Sequence, residues 1–220
     1  MLFSLLKSGS ITFALIYLLS SFITLILTLP VHEFAHGYVA YKLGDPTAKY
    51  QGRLTLNPIK HLDLIGSLCI VFFGFGWAKP VPVDSRYFKK PKRDMALTAL
   101  AGPLANILMA FISMFVYCLI MRFASVNSQA AYYFAYFFQY LSSINVYLAV
   151  FNLIPVPPLD GSRILFAVLP ADKYFNMMRY ERYIYLGLLV LMFTGILNYP
   201  IRFISNLIYS LFSLFFNLIF

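Results

Sequence analysis

The fold is decided by residues 11–46, ITFALIYLLSSFITLILTLPVHEFAHGYVAYKLGDP, where a long apolar run meets a cluster of polar side chains. Residues 11–29 carry no charge, and a bilayer is crossed by about 20 apolar residues of α-helix. The next titratable residues are His32, Glu33 and His36. Histidines four positions apart lie on one face of a helix, at the spacing that a single metal ion needs. The stretch therefore predicts a metal site at, or just inside, the end of a membrane helix.

The composition of the chain is that of an integral membrane protein. Hydrophobic residues make up 61% of the 220 positions and charged residues only 11%, whereas soluble domains carry about 25% charged residues. The net charge is +9, but Lys and Arg lie in loops between apolar runs, so nucleic acid is not expected as a partner. Cys69 and Cys118 lie in apolar runs without a C-x-x-C pattern, which argues against a disulfide or a cysteine metal site.

The order of apolar runs predicts an all-α polytopic membrane protein with about five transmembrane helices. The first helix is expected from about Ser10 to Leu43, with a kink at Pro30. Residues 64–77 form a run too short for a full crossing and are expected to re-enter the membrane. Alternating side chains at residues 53–56 predict a short β element near 47–58. The remaining long apolar runs are residues 95–123, 130–154, 183–197 and 201–220.

We expect one membrane-embedded domain over residues 1–220, with a catalytic core at about 10–165 and C-terminal helices at about 183–220. If 64–77 re-enters, loops 42–94 and 163–182 share one side and hold 14 of the 17 Lys and Arg residues. The positive-inside rule makes that side cytoplasmic. The protein is then expected in the cell membrane, with its N-terminus outside the cytoplasm and its site toward the cytoplasm.

The histidine pair needs a third ligand, because a catalytic zinc takes three protein ligands and keeps one open position. H-E-x-x-H is a signature of zinc metalloproteases, in which the glutamate is the general base. Lys42 stands where an extended pattern would place a third histidine. His61 is possible by residue type, although it also suits a turn. Asp160 is preferred, because an ionised carboxylate at the end of an apolar run is costly unless it is paired or binds metal.

The sequence resembles the site-2 protease family of intramembrane zinc metalloproteases over about residues 30–165. The specific feature is the combination of H-E-x-x-H with N-x-x-P-x-x-x-L-D-G at the end of a later membrane segment. Further matching pieces are N-P-x-x-H-x-D at 57–63, the segment 74–83, and Ala-Gly-Pro at 101–103 followed by Asn106. Unlike larger members of that family, the sequence shows no PDZ insertion and no CBS domain, as expected of a minimal member.

The resemblance implies that His32, His36 and Asp160 bind Zn²⁺, that Glu33 is the catalytic base, and that Asn152 helps to bind substrate or transition state. Asn106 could do similar work, although an asparagine bonded between helices is the other interpretation. The partners implied are the lipid bilayer and transmembrane substrate proteins, such as anti-sigma factors or remnant signal peptides. Cleavage would take place within or near the bilayer, in regulated intramembrane proteolysis.

Two other functions are compatible with intramembrane His and Asp residues: a zinc transporter, and a membrane protein that binds zinc without proteolysis. Transporters are typically built from internal repeats, and none is found here. In either alternative Glu33 would have no role beside the metal. A further open question is the predicted β element, which could pair with an extended substrate or only within a small hairpin.

Overall fold

The structure is a computed structural model that describes residues 11–73, 77–124 and 128–218, without the side chains of residues 73, 171, 174, 175 and 193. All regular structure in these ranges is helical, which confirms the prediction of an all-α protein. The predicted helix start at Ser10 and residues 74–76, which belong to the predicted re-entrant run 64–77 and to the segment 74–83, lie outside the described residues.

The helices follow the apolar runs of the sequence, with ends shifted by a few residues. In chain order they are α1 Ile11–Ile23, α2 Leu29–Lys42, α3 Thr47–Tyr50, α4 Leu64–Phe73, α5 Pro91–Phe123, α6 Gln129–Asn152, α7 Asp160–Phe166, α8 Ala171–Arg179, α9 Glu181–Phe193 and α10 Asn198–Asn217. Short 3₁₀-helices occur at Pro58–Lys60 and Ser85–Tyr87.

Three helices of the described chain are long and apolar enough to cross a membrane: Ile11–Lys42, which joins α1 and α2, and then α5 and α6. The protein is therefore a membrane protein. A π-helical turn, Thr24–Thr28, connects α1 to α2, and Leu29 donates its N–H to the Thr24 carbonyl. The turn directly precedes Pro30, whose ring has no N–H and would clash with a carbonyl in regular α-helical geometry.

Helix α4 has ten residues, which give a length of about 15 Å against about 30 Å of hydrocarbon in a bilayer. It packs against α1 and α6 in an apolar cluster that includes the buried residues Tyr17, Ile70 and Leu148. The Tyr17 hydroxyl also donates to the Ile70 carbonyl at 3.4 Å. By length α4 alone does not cross a bilayer.

The prediction of a β element near 47–58 is wrong, since this segment contains no strand. Thr47–Tyr50 forms the single turn α3, and Gly52 follows with φ +62°. The N–H groups of Arg53 and Leu54 donate back to the Ala48 carbonyl at 2.8 and 3.2 Å. The alternation at 53–56 resembled a strand, but the backbone bonds locally, and the described residues offer no neighbouring strand to pair with it.

Helix α5 is the central element around the site, since it packs against α2, α6, α7 and α10. Polar side chains are buried along these contacts rather than at the outer surface of the bundle. They include His32, Glu33, His36, Asp94, Thr98, Asn106, Ser113, Ser142, Asn145 and Ser162. In a bilayer, polar side chains placed inward in this way indicate a functional interior.

Candidate metal centre

Three metal-ligating side chains meet between α2 and the start of α7. The His36 and His32 Nε2 atoms are 3.0 Å apart. Asp160 Oδ2 lies 3.4 Å from His32 Nε2 and 3.2 Å from His36 Nε2. Within residues 11–73, 77–124 and 128–218, no other group of three such residues has metal-site spacing. The structure thus brings together the three side chains that the sequence predicted as ligands.

Asp160 reaches the histidines because the chain turns sharply after α6 and starts a new helix. Leu159 is extended, with φ −67° and ψ 156°, and Asp160 is the first residue of α7. Gly161 packs so closely against the carbonyl groups of Leu153 and Ile154 that a β-carbon would overlap them. Ser162 Oγ donates to the Leu159 carbonyl at 2.8 Å. This compact turn fixes the position of the aspartate.

The orientation of His36 is set by a backbone carbonyl of α5. His36 Nδ1 lies 2.7 Å from the Thr98 carbonyl oxygen, which can only accept, so we assign the proton of the neutral ring to Nδ1. His36 Nε2 then presents a lone pair to the centre of the triad. A hydrogen bond of this kind from the outer nitrogen is the usual support of a metal-binding histidine.

Burial and neighbouring groups act on Asp160 in opposite directions. Burial alone raises the pKa of its carboxyl group, whereas the two nearby imidazole rings, that of His36 first, lower it. The net effect holds the pKa of Asp160 well below its ordinary value. Asp160 is therefore ionised at neutral pH, which is the form that binds a metal.

Gly102 lets α5 approach the two imidazole rings. A β-carbon at this position would overlap His36 Nε2 and would lie 2.6 Å from His32 Cε1. Any side chain here would displace the ligands or the helix. The sequence showed Gly102 only as part of a small-residue set, since the residue type alone does not reveal what packs against it.

Glu33 is buried beside His32 and is bonded to a loop. Its Oε2 atom accepts a hydrogen bond from the Val81 N–H at 2.8 Å. The same loop, residues 77–84, is held by Arg53, whose Nη2 donates to the carbonyls of Lys79 and Pro80 at 2.7 and 3.1 Å. The role of Val81 was not foreseen, because a backbone N–H carries no residue-specific signal.

A cavity of about 510 Å³ opens beside the triad. Helices α2, α6, α7 and α9 and the loop 77–84 contribute to its wall, which is largely apolar. Besides the three triad residues and Glu33, the wall includes Leu29, Trp77, Ala78, Val81, Leu148, Phe151, Asn152, Leu159, Arg163, Tyr185, Leu188 and Met192. The metal-ligating side chains thus form part of the cavity wall.

The other predicted site residues, Asn152, Asn106 and His61, lie outside the triad. Asn152 lines the cavity, and its side-chain amide donates to the Leu148 carbonyl of its own helix at 2.9 Å. Asn106 is 1% exposed and does not line the cavity. His61 lies outside the triad and is bonded through Nε2 to the Thr55 carbonyl at 2.8 Å.

The three donor atoms fit a zinc ion. Nitrogen and oxygen ligands at the usual zinc bond lengths in a tetrahedron stand about 3.3–3.5 Å apart, and the observed separations are 3.0–3.4 Å. The buried Asp160 Oδ2 forms no hydrogen bond in the described structure. Two imidazole nitrogens and one carboxylate oxygen also match the ligand chemistry of zinc, and a catalytic zinc typically takes three such protein ligands.

A membrane-helix bundle with this triad and an adjacent glutamate defines a membrane zinc metalloprotease. A family model described as peptidase family M50 matches residues 119–195, which include Asn152 and Asp160. "Putative zinc metalloprotease YwhC" of Bacillus subtilis (strain 168) is 46% identical over 179 residues, covering 80% of this chain and 81% of that protein. The chain therefore belongs to peptidase family M50, the site-2 protease family of zinc metalloproteases.

More distant relatives carry related names. Rip2 of Mycolicibacterium smegmatis is 28% identical over 196 residues, which cover 86% of this chain and 71% of that protein. "Zinc metalloprotease MJ0392" of Methanocaldococcus jannaschii is 31% identical over 153 residues, 70% of this chain and 35% of that protein. No solved structure matches the chain.

Proposed function

We propose that this protease cuts membrane-spanning proteins within or near the bilayer, in regulated intramembrane proteolysis. The main support is the position of the triad. Both histidines lie on the helix Ile11–Lys42, which is long and apolar enough to cross a membrane. A substrate that reaches these atoms through an apolar cavity among membrane helices is itself expected to be membrane-embedded.

We assign His32, His36 and Asp160 as zinc ligands, on the basis of their mutual distances and the ionised state of Asp160. Zinc held there would activate a water molecule and polarise the scissile carbonyl group. The carbonyl of Thr98 keeps the His36 ring in the metal-binding orientation. His61 is not part of this assignment, since among the described residues only His32, His36 and Asp160 have the spacing of a metal site.

Glu33 acts as the general base in this proposal. The residue lines the cavity and lies next to His32 in sequence. Its Oε2 atom is bonded to the Val81 N–H, which orients the carboxylate and leaves Oε1 to take a proton from the attacking water. Glu33 then passes the proton to the leaving amine, as a general base that becomes a general acid.

Asn152 is proposed to bind the substrate carbonyl or the oxyanion formed from it. Its side chain lines the same cavity as the triad, near the end of α6. In the free protein one N–H of its amide donates to the Leu148 carbonyl, and the second N–H of the same nitrogen is the donor proposed for the substrate. A donor placed where negative charge develops stabilises the transition state.

The substrate must unwind before attack, because peptide bonds in a transmembrane helix are held in intrahelical hydrogen bonds. The loop 77–84 offers non-helical backbone at the cavity, whereas residues 53–56 form no strand edge. Non-helical backbone at membrane depth is tolerated where it is buried in protein or lines a water-filled cavity. We propose that the unwound part of the substrate lies beside this loop.

The proposed topology has five crossings, with α9 and α10 as the last two, and residues 64–77 as a re-entrant segment. The short length of α4 and the distribution of Lys and Arg residues support it. The protein is then placed in the cell membrane with the site facing the cytoplasm. Residues 1–220 are proposed as one domain, with the catalytic core at about 10–165 and C-terminal helices at about 183–220.

A comparison of membrane fractions tests this function. Cells that express either the wild type or Glu33→Gln at equal levels would be compared by proteomics of membrane-derived fragments. Fragments ending inside predicted transmembrane segments should accumulate with the wild type and not with the variant. The same fragments from both cell types, or an effect limited to soluble proteins, would contradict the proposal.

A further inference from the structure

The outer ring nitrogen of His32 has no hydrogen-bond partner in the described structure. His36 bonds its Nδ1 atom to the Thr98 carbonyl, but the equivalent His32 atom is buried and unbonded. Metal-binding histidines almost always donate from this nitrogen to an acceptor, directly or through water. The two proposed ligands are thus supported unequally by the protein.

The side chain of Asn106 also has polar atoms without a hydrogen-bond partner in the described structure. Its side chain is 1% exposed, and both its Nδ2 and Oδ1 atoms are buried without a hydrogen-bond partner in the described structure. A buried amide with neither group bonded is costly, and such groups are usually satisfied by an ordered water molecule. An asparagine of this kind inside a membrane helix therefore indicates a bound water or a partner side chain.

Helical spacing places Asn106 near His32. One face of α5 is formed by residues at successive intervals of four: Thr98, Gly102, Asn106 and Ala110. Thr98 bonds His36, and Gly102 touches both imidazole rings. Along α5, Thr98 thus contacts His36 and Gly102 contacts both His36 and His32. Asn106 follows one helical turn later, on the side of His32.

Polar side chains of α6 also lie near this part of α5. Ala110, one turn beyond Asn106, accepts a hydrogen bond from Ser142 of α6 at 3.0 Å. Asn145, one turn along α6, approaches Thr28 Oγ1 through its Nδ2 atom at 3.5 Å and has a buried, unbonded Oδ1 atom. Asn106 consequently lies in a polar layer between α2, α5 and α6 rather than in an apolar one.

We propose that a buried water molecule links His32 Nδ1 to the side chain of Asn106, so that Asn106 positions His32 for metal binding. The water accepts a hydrogen bond from the Nδ1–H group of His32 and donates one to Asn106 Oδ1, and Asn145 Oδ1 offers a further acceptor. Buried waters typically make about three hydrogen bonds to polar groups that would otherwise be unsatisfied. Asn106 is then a positioning residue and not a residue that contacts substrate.

Zinc affinity of the detergent-purified full chain, measured by competition with a chelator, tests this role. Asn106→Leu keeps a side chain of similar size without polar groups and should weaken zinc binding roughly 10- to 100-fold. Asn106→Asp keeps an acceptor oxygen and should bind zinc with nearly wild-type affinity. The absorption spectrum of the Co²⁺-loaded protein should shift in Asn106→Leu and stay unchanged in Asn106→Asp.

Ser113→Ala is the matched control. Ser113 is buried on the same helix, but its hydroxyl donates to the Met109 carbonyl of that helix at 2.8 Å. Its removal should leave zinc affinity and the Co²⁺ spectrum unchanged. Wild-type affinity and spectrum in Asn106→Leu would overturn the inference, and so would equal weakening in Asn106→Leu and Asn106→Asp, since aspartate keeps the acceptor oxygen that the proposed water bridge uses.

The inference rests on the proposed ligand set, so His32→Ala is measured in parallel. Full zinc binding in His32→Ala would refute the ligand assignment itself. Loss of zinc in His32→Ala together with wild-type binding in Asn106→Leu would refute only the positioning role of Asn106. The two failures are therefore distinguishable.

Discussion

Gly102 of α5 lies directly against the imidazole ring of His36, with no room for a β-carbon between them. The contact explains how a long membrane helix can approach a metal centre so closely. It also means that the position of α5 and the positions of the ligands are coupled. The fold and the metal site therefore depend on the same residue.

Gly102→Ala should lower zinc affinity, because the added methyl group displaces His36 or pushes α5 away. Overpacking of this kind costs about 1–3 kcal/mol. Gly187→Ala is the matched control, since this glycine of α9 has no atom near the position of a β-carbon. Zinc titration of both variants should show a loss only in Gly102→Ala, and equal affinities would contradict the packing argument.

Glu33→Gln and Glu33→Ala should both abolish peptide hydrolysis, since neither retains a base; such a loss is typically 10²- to 10⁴-fold. They should differ in stability. Glutamine keeps an oxygen that can accept from the Val81 N–H, whereas alanine leaves that N–H without its partner. An unsatisfied buried N–H costs about 1–3 kcal/mol.

Thermal unfolding of the two Glu33 variants in detergent measures this difference. Glu33→Gln should unfold near the wild-type temperature and Glu33→Ala below it, with zinc still bound to both. Identical unfolding temperatures would show that the Val81 hydrogen bond does not hold the loop. Hydrolysis by Glu33→Gln at the wild-type rate would exclude Glu33 as the base.

Arg53→Ala should slow hydrolysis without loss of zinc, because it releases the loop 77–84 from two carbonyl contacts. A partly exposed interaction worth about 1 kcal/mol corresponds to a decrease in kcat/KM of about fivefold. Arg86→Ala is the control, since the Arg86 side chain bonds only Asp84 among the described residues. A wild-type kcat/KM in Arg53→Ala would show that the loop needs no such support.

The features that the sequence predicted correctly depend on residue type and spacing. The three helices that are long and apolar enough to span a membrane follow from apolar runs, and the pairing of His32 with His36 follows from helical periodicity. Asp160 could be singled out because an ionised carboxylate at the end of an apolar run is costly unless it is paired or binds metal. In each case the chemical identity of the side chain carried the information.

The features that the sequence did not predict are made by backbone atoms or by tertiary contacts. The Val81 N–H, the Thr98 carbonyl and the approach of Gly102 have no signature in residue type. The strand predicted at 53–56 failed because alternation is a local pattern, while a strand also needs a partner. Here the backbone N–H groups of Arg53 and Leu54 instead bond the carbonyl of Ala48 in a tight turn.

The zinc content of Asp160→Ala is the most direct test of the proposed site. The wild type should hold one zinc ion per chain, and Asp160→Ala should lose most of it, because the two histidines alone leave the triad incomplete. His61→Ala, purified in the same way, should keep the full amount. A full zinc complement in Asp160→Ala, or its loss in His61→Ala, would contradict the assignment of His32, His36 and Asp160 as the metal ligands.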